Sequence, residues 1–131
     1  MKCPFCRPEQ PVVAENRYVY VIHDKNPYVE GHLLVIPKKH YENIIEMDDR
    51  VLCETIKMVK RMEKRLIEKM GVEGITVRQN WLPFLKKNRL VVGHVHFHII
   101  PRNLNDGLYY AAKRKRYNAS KIRDITKLLK L

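Results

Sequence analysis

Three histidines alternate with apolar residues in His94-Val95-His96-Phe97-His98, and Ile99-Ile100-Pro101 follow directly. Successive side chains of a strand point to opposite faces, so a period of two predicts an extended strand with one face buried. Val95, Phe97 and Ile99 would then enter a core. The three imidazoles would share the other face, about 6–7 Å apart along the strand. That spacing is too long for direct hydrogen bonds but suits flanking a phosphate-sized group. Packing gives no reason to repeat imidazole on one face, so the face is read as a place where chemistry happens.

At 131 residues the chain can bury one core. It is read as a single domain, residues 1–131, with a basic C-terminal extension from about residue 102. The formal net charge of +12 favours anionic partners, namely nucleotides, nucleic acid or acidic surfaces, without choosing among them. No apolar run approaches the roughly 20 residues that span a bilayer, so no membrane association is expected. Met1-Lys2-Cys3-Pro4-Phe5-Cys6 lacks the apolar stretch of a signal peptide, and a cytoplasmic location is expected. Three cysteines argue against a disulfide framework in such a compartment. Cys3 and Cys6 form a C-x-x-C pair, which alone is compatible with a redox pair, half a zinc site or chance. Cys53 is expected to be a small buried residue of a helix.

Residues 1–11 contain three prolines and read as a turn-rich segment. Tyr18-Val19-Tyr20-Val21-Ile22 reads as a strand, and His32-Leu33-Leu34-Val35-Ile36 as a second one stopped by Pro37. Asp48 and Asp49 precede a long amphipathic helix ending near Met70, with Leu52, Ile56, Val59, Met62, Leu66 and Met70 at helical spacing. Asp48 is the expected N-cap and Gly71 the expected C′ residue. Met58, Met62 and Met70 are read as core filling. Ile75-Thr76-Val77 starts a third strand, and a fourth lies within 89–100. Trp81 to Asn88 reads as their hairpin connection, with exposed aromatics. Ser120 is the expected cap of a short final helix carrying Ile122, Ile125 and Leu129. This order implies an α+β fold with an antiparallel sheet rather than a parallel βαβ wind.

Two chemistries compete for the histidine face. A metal centre is one, since imidazole is a common ligand. Metal-hydrolase patterns add an aspartate beside the histidines, and residues 95–99 contain no carboxylate. Nucleophilic catalysis at phosphorus is the other: imidazole, with an unperturbed pKa near 6.5, can attack a phosphate and be displaced by water.

The run His94-Val95-His96-Phe97-His98-Ile99-Ile100 resembles the signature of the histidine-triad (HIT) superfamily. Gly31-His32-Leu33-Leu34-Val35-Ile36-Pro37-Lys38-Lys39-His40 resembles a second block of that family, and Ile22-His23-Asp24 the stretch just upstream. The resemblance runs from Cys3 to Pro101. It implies the HIT fold, an antiparallel sheet of about five strands with one long helix and a short C-terminal helix. It also implies a nucleotide hydrolase or nucleotidyl transferase acting on a substituted nucleoside α-phosphate, such as a dinucleoside polyphosphate, a nucleoside phosphoramidate or an adenylated compound. A purine nucleoside phosphate is the implied ligand and a homodimer the implied assembly.

Carried onto this chain, His96 would be the nucleophile and form a nucleotidyl-histidine intermediate. His98 would hold the phosphate oxygens and His32 would assist positioning. Asp24 would take the ribose hydroxyls, although it also suits the turn before Asn26-Pro27. Phe5 and Ile22 would line the base pocket, with Phe5 equally readable as plain core, and Asn80 would contact the phosphate region. Some HIT proteins pair such a C-x-x-C with the histidine closing the second block and with the first triad histidine. The matching set here is Cys3, Cys6, His40 and His94, which implies a closed, structural zinc site. His94 would then be a ligand rather than a free proton donor.

The chain departs from the family where many members carry a Gln-Ser pair, since Leu90-Val91-Val92-Gly93 stands there. Lys86, Lys87 and Arg89 of the preceding hairpin are the expected compensation. Lys113-Arg114-Lys115-Arg116 after Tyr109-Tyr110 reads as a solvated or dimer-edge face, or as a contact to nucleic acid. A nucleic-acid end-processing enzyme, aprataxin-like or decapping-like, and a nucleotide-binding module with little turnover are the alternative functions.

Overall fold

The computed structural model describes residues 3–85, 92–108 and 114–131. Its elements run β1 (Ala14–Glu15), β2 (Val19–His23), β3 (Leu33–Pro37), α1 (Asp49–Met70), β4 (Gly74–Arg78), β5 (Phe97–Arg102) and α2 (Ala119–Leu129). Single 3₁₀ turns stand at Ile44–Glu46 and Pro83–Leu85. The sheet has the order β1-β2-β3-β5-β4, and every neighbouring pair is antiparallel. This is the expected α+β architecture. β1, a two-residue edge strand, has too little pattern to be read in sequence.

The alternation in β2, β3 and β5 divides the sheet into two faces. Val19, Val21, Leu33, Val35, Val95, Phe97 and Ile99 pack with Met58, Val59, Met62 and Leu66 of α1 in the main core. Each such side chain contributes about 1.5–3 kcal/mol on burial. Tyr20, Ile22, Leu34 and Ile36 line the opposite face, with Phe5 of the N-terminal segment packed on them. The buried stripe of α1 is Thr55, Met58, Val59, Met62 and Leu66. Ile56 and Met70 are exposed, so the expected stripe was centred too far to one side. Cys53 is exposed, contrary to expectation. At about 100° per residue it falls nearly opposite the stripe.

Helix ends follow the expected positions more closely than the expected bonds. Asp48 is the N-cap residue, but among the described residues its side chain makes no capping bond and accepts instead from the Tyr41 hydroxyl at 3.5 Å. Gly71 sits at φ 60° after α1, where an L side chain is strained and glycine is not. α2 is capped by Asn118, not Ser120: the Asn118 carboxamide accepts from the Lys121 amide at 2.9 Å. Ile122, Ile125 and Leu129 do lie on α2, and all are exposed, as are Arg114, Lys115 and Arg116. Trp81 and Phe84 of the β4–β5 connection are exposed as expected. Lys86, Lys87, Arg89, Leu90, Val91, Tyr109, Tyr110 and Lys113 lie outside the described residues. Among the described residues no helix is long and apolar enough to cross a membrane.

Candidate active site

The ladder of β5 begins at Phe97, so only His98 of the three histidines is paired within the sheet. His94 and His96 stand in the lead-in, which bends at Gly93 and His94 and is anchored by the Val95 amide donating to the Tyr41 carbonyl at 2.8 Å. The alternation still holds there, because Val95 is in the core with Phe97 and Ile99. The His96 and His98 ring centroids are 4.9 Å apart, closer than the backbone repeat, because the rings tilt toward each other. The histidine face is not uniformly open: His94 is 1% exposed.

Cross-strand register builds the floor of the site. Ile22 pairs with Leu34, Leu34 with His98, and His98 with Arg78. Residues directly opposite share a face, so one row runs Ile22, Leu34, His98, Arg78 across four strands. The ends of the same strands place Asp24 after β2 and His32 before β3. A cleft of about 510 Å³ opens above this row. It is lined by Phe5, Ile22, Asp24, His32, Asn80, His96 and His98, all expected from sequence, and also by Tyr28 and Arg78, which were not.

Local backbone makes this convergence possible. Gly31 has φ 90°, and a Cβ there would come within 3.0 Å of the Met70 sulfur and 3.1 Å of Pro101. Only glycine lets the chain turn so tightly against α1 and β5 and deliver His32 into the sheet. The Gly31 amide donates to His23 Nε2 at 2.9 Å, which leaves His23 Nδ1 to donate to the Asp24 carbonyl at 2.8 Å. Asp24 is both a turn residue and a cleft residue: its Oδ1 accepts from the Asn26 amide at 2.9 Å.

One-sided backbone bonds assign a tautomer to each buried imidazole. An amide can only donate, so His32 Nδ1 accepts from the Tyr28 amide at 3.1 Å and the His32 proton sits on Nε2. That Nε2–H donates to His98 Nδ1 at 2.9 Å, with Asp24 Oδ2 at 3.5 Å. His98 therefore carries its proton on Nε2. A carbonyl can only accept, so His96 Nδ1 donates to the His94 carbonyl at 2.8 Å. Among the described residues the His96 Nε2 lone pair has no hydrogen-bond partner. By the same logic His94 Nε2 donates to the Pro37 carbonyl at 2.8 Å, leaving its Nδ1 lone pair.

The neutral forms are favoured throughout. Burial lowers the pKa of His32 and of His96. Burial, then the charges of His96, His32 and Arg78, pushes His98 down to about 4. At neutral pH the site thus presents an uncharged nucleophilic nitrogen on His96 and an N–H donor on His98.

Beside the cleft, the N-terminal segment is fastened by the Tyr20 hydroxyl donating to the Phe5 carbonyl at 2.6 Å. The Phe5 ring meets the His96 ring edge-on at 4.9 Å. This brings Cys3, Cys6, His40 and His94 together, with all four ligand atoms within 4.8 Å of one another. Cys3 Sγ is 3.3 Å from His94 Nδ1, Cys6 Sγ 3.3 Å from His40 Nδ1 and 3.7 Å from His94 Nδ1, and the two Nδ1 atoms are 3.1 Å apart. A tetrahedron with zinc–nitrogen and zinc–sulfur bond lengths has edges of about 3.3–3.8 Å. The set fits a metal ion, and the His94 bond to Pro37 is the outer support such a ligand needs. Asp24, His32 and His98 also bring three ligand atoms together. That group does not fit a metal, because the Tyr28 amide occupies His32 Nδ1 and so leaves the proton on the nitrogen a metal would need.

The HIT domain family pattern matches residues 7–105. Over 114 residues the chain is 43% identical to an uncharacterized HIT-like protein of Methanocaldococcus jannaschii, covering 80% of this chain and 82% of that one. It is 34% identical over 110 residues to an adenosine 5'-monophosphoramidase of Schizosaccharomyces pombe, covering 78% of this chain and 75% of that one. A histidine triad nucleotide-binding protein from Candida albicans superposes with a TM-score of 0.81 at 29% identity, covering 98% of this chain and 95% of that one. Histidine blocks, sheet order and relatives agree, and this chain belongs to the HIT family.

Proposed function

We propose that the protein hydrolyses, or transfers the nucleotidyl group of, a nucleoside phosphate with a substituted α-phosphate, through a covalent intermediate on His96. The observation that carries this reading is the pair of tautomers, with a bare Nε2 on His96 beside an Nε2–H on His98. His96 Nε2 attacks the α-phosphorus, the N–P bond forms, and the bond to the substituent breaks with its electron pair going to the substituent, an amine taking up a proton from solvent as it leaves. Water then attacks the same phosphorus and gives a proton to solvent, and the N–P bond breaks with its electron pair returning to His96 Nε2. His98 donates to a phosphate oxygen as charge develops on it, and His32 holds His98 in the donating tautomer. Asp24 accepts from the ribose hydroxyls, Ile22 and Phe5 line the base pocket, and Asn80 contributes a polar contact near the phosphate. The phosphoramidase relative supports a hydrolase acting on nucleoside phosphoramidates.

Cys3, Cys6, His40 and His94 would hold a zinc ion. With four protein ligands it supplies structure rather than an open coordination site, tying the N-terminal segment to the lead-in of β5. His94, with both ring nitrogens engaged, shapes the His96 backbone rather than donating a proton. The test is hydrolysis of adenosine 5′-phosphoramidate by the full chain and by His96→Gln. Activity that disappears in the variant supports the reading. Wild-type inactivity toward phosphoramidates, dinucleoside polyphosphates and adenylated compounds alike would overturn it in favour of a nucleotide-binding module.

A further inference from the structure

Arg78 is the one polar residue of the cross-strand row that the proposed chemistry leaves without a task. It pairs directly with His98 across β4 and β5 and lines the cleft. Its guanidinium lies over the Tyr28 ring at 5.3 Å, and Nη2 donates to the Tyr28 hydroxyl at 3.3 Å. Tyr28 in turn stacks on His32, with centroids 5.5 Å apart and planes 9° from parallel. The guanidinium is thus held between β4 and the β2–β3 loop. Its Nε is buried with no hydrogen-bond partner among the described residues. A buried, unsatisfied donor on a permanent cation marks a place prepared for an anion.

Sheet order says which anion. Asp24, His32, His98 and Arg78 stand at β2, β3, β5 and β4, in the sequence in which the strands lie side by side. A nucleotide with its ribose at Asp24 and its α-phosphate at His96 and His98 has its leaving group beyond His98, on the β4 side. That is where Arg78 is. Proton-donating capacity is also lacking there: His98 gives its Nε2–H to the α-phosphate, and His94 has both ring nitrogens engaged. A leaving group that departs as a stable anion needs a cation rather than a proton.

Resting on the proposed α-phosphate chemistry, we infer that Arg78 is a specificity-determining residue that binds a tetrahedral oxyanion on the leaving group. The favoured substrates are then mixed or phosphoric anhydrides. In the first step the His96 N–P bond forms as the bridging P–O bond breaks. The electron pair stays on the departing phosphate or sulfate oxygen, whose charge the guanidinium fork meets. Lys86, Lys87 and Arg89, expected near the leaving group from the sequence, lie outside the described residues.

The test compares kcat/KM of the full chain for adenosine 5′-phosphosulfate, diadenosine triphosphate and adenosine 5′-phosphoramidate. Arg78→Gln is expected to lower the anhydride-to-phosphoramidate ratio about 10- to 100-fold, the worth of charge-assisted hydrogen bonds in a half-buried site. Arg78→Lys, which keeps the charge without the fork, recovers part of that loss. The anhydride that loses more tells whether a sulfate or a phosphate is the natural leaving group. An unchanged ratio, including one where all three rates fall together, overturns the inference. Binding separates this inference from the reading beneath it. Wild type should bind ADP more tightly than AMP, and Arg78→Gln should erase that preference. If wild type turns over none of the three substrates yet shows the preference, the covalent chemistry fails and the Arg78 site stands. A preference retained in Arg78→Gln overturns the site whatever the chemistry.

Discussion

His32 has two hydrogen bonds with separable consequences, and two substitutions should separate them. Nδ1 accepts from the Tyr28 amide at 3.1 Å, a bond that satisfies a backbone donor in the fold. Nε2 donates to His98 Nδ1 at 2.9 Å, a bond that sets the tautomer facing the substrate. The residue is 1% exposed, so water cannot replace either partner. The carboxamide of asparagine falls near Nδ1 of the ring it replaces, and that of glutamine near Nε2. His32→Asn keeps the Tyr28 bond and loses the His98 bond; His32→Gln does the reverse. An unsatisfied buried group costs about 1–3 kcal/mol. His32→Gln should therefore be the less stable of the two by that amount in urea unfolding. His32→Asn should be the less active, by about 5- to 150-fold in kcat/KM if the same energy is lost at the transition state. Asparagine is one methylene smaller than glutamine, a packing difference of about 0.8 kcal/mol that works against the predicted order of stability. The reasoning is refuted if one variant is worse in both assays, or if the two are indistinguishable in both.

The cysteine–histidine cluster should bind one zinc per chain, measured by elemental analysis; Cys3→Ser or Cys6→Ser should lose it and lower the melting temperature, and a strong chelator should destabilise wild type in the same direction. Stability should also depend on pH through His98, whose folded pKa is about 4 against an ordinary 6.5. Between those values the unfolded chain binds a proton that the folded chain refuses. The contribution is present in full above about 6.5, is lost as pH falls toward 4, and changes no further below it. His32, lowered chiefly by burial, acts in the same direction. A urea midpoint measured from pH 8 to 4 should fall across that window, and less steeply in His98→Gln.

What could be read in the sequence was what repeats locally. The period of two placed Val95, Phe97 and Ile99 in the core, and helical spacing found α1 and its Gly71 terminus. The four residues of the metal cluster came from the family resemblance, and they do converge. What failed depends on neighbours distant in sequence. Tyr41 draws the Asp48 side chain away from its cap, and the face that α1 turns to the sheet, Thr55, Met58, Val59, Met62 and Leu66, leaves Cys53, Ile56 and Met70 exposed. β5 starts later than the alternation suggests, because the Cys3–His94 contact and the Tyr41 carbonyl hold the lead-in instead of a ladder. Arg78, one residue past Ile75-Thr76-Val77, belongs to no motif in the sequence. Only the register of β4 on β5 sets it beside His98, and only the β2–β3 loop brings Tyr28 beneath it.

The central claim is a covalent bond from phosphorus to His96 Nε2. Rapid quenching during turnover of an adenylated substrate, followed by intact-mass and peptide-mapping spectrometry, tests it directly. The account predicts one nucleotidyl group on the peptide containing His96, chased away by further incubation and absent in His96→Gln. Sustained turnover with no adduct at any quench time, or undiminished turnover by His96→Gln, would contradict it.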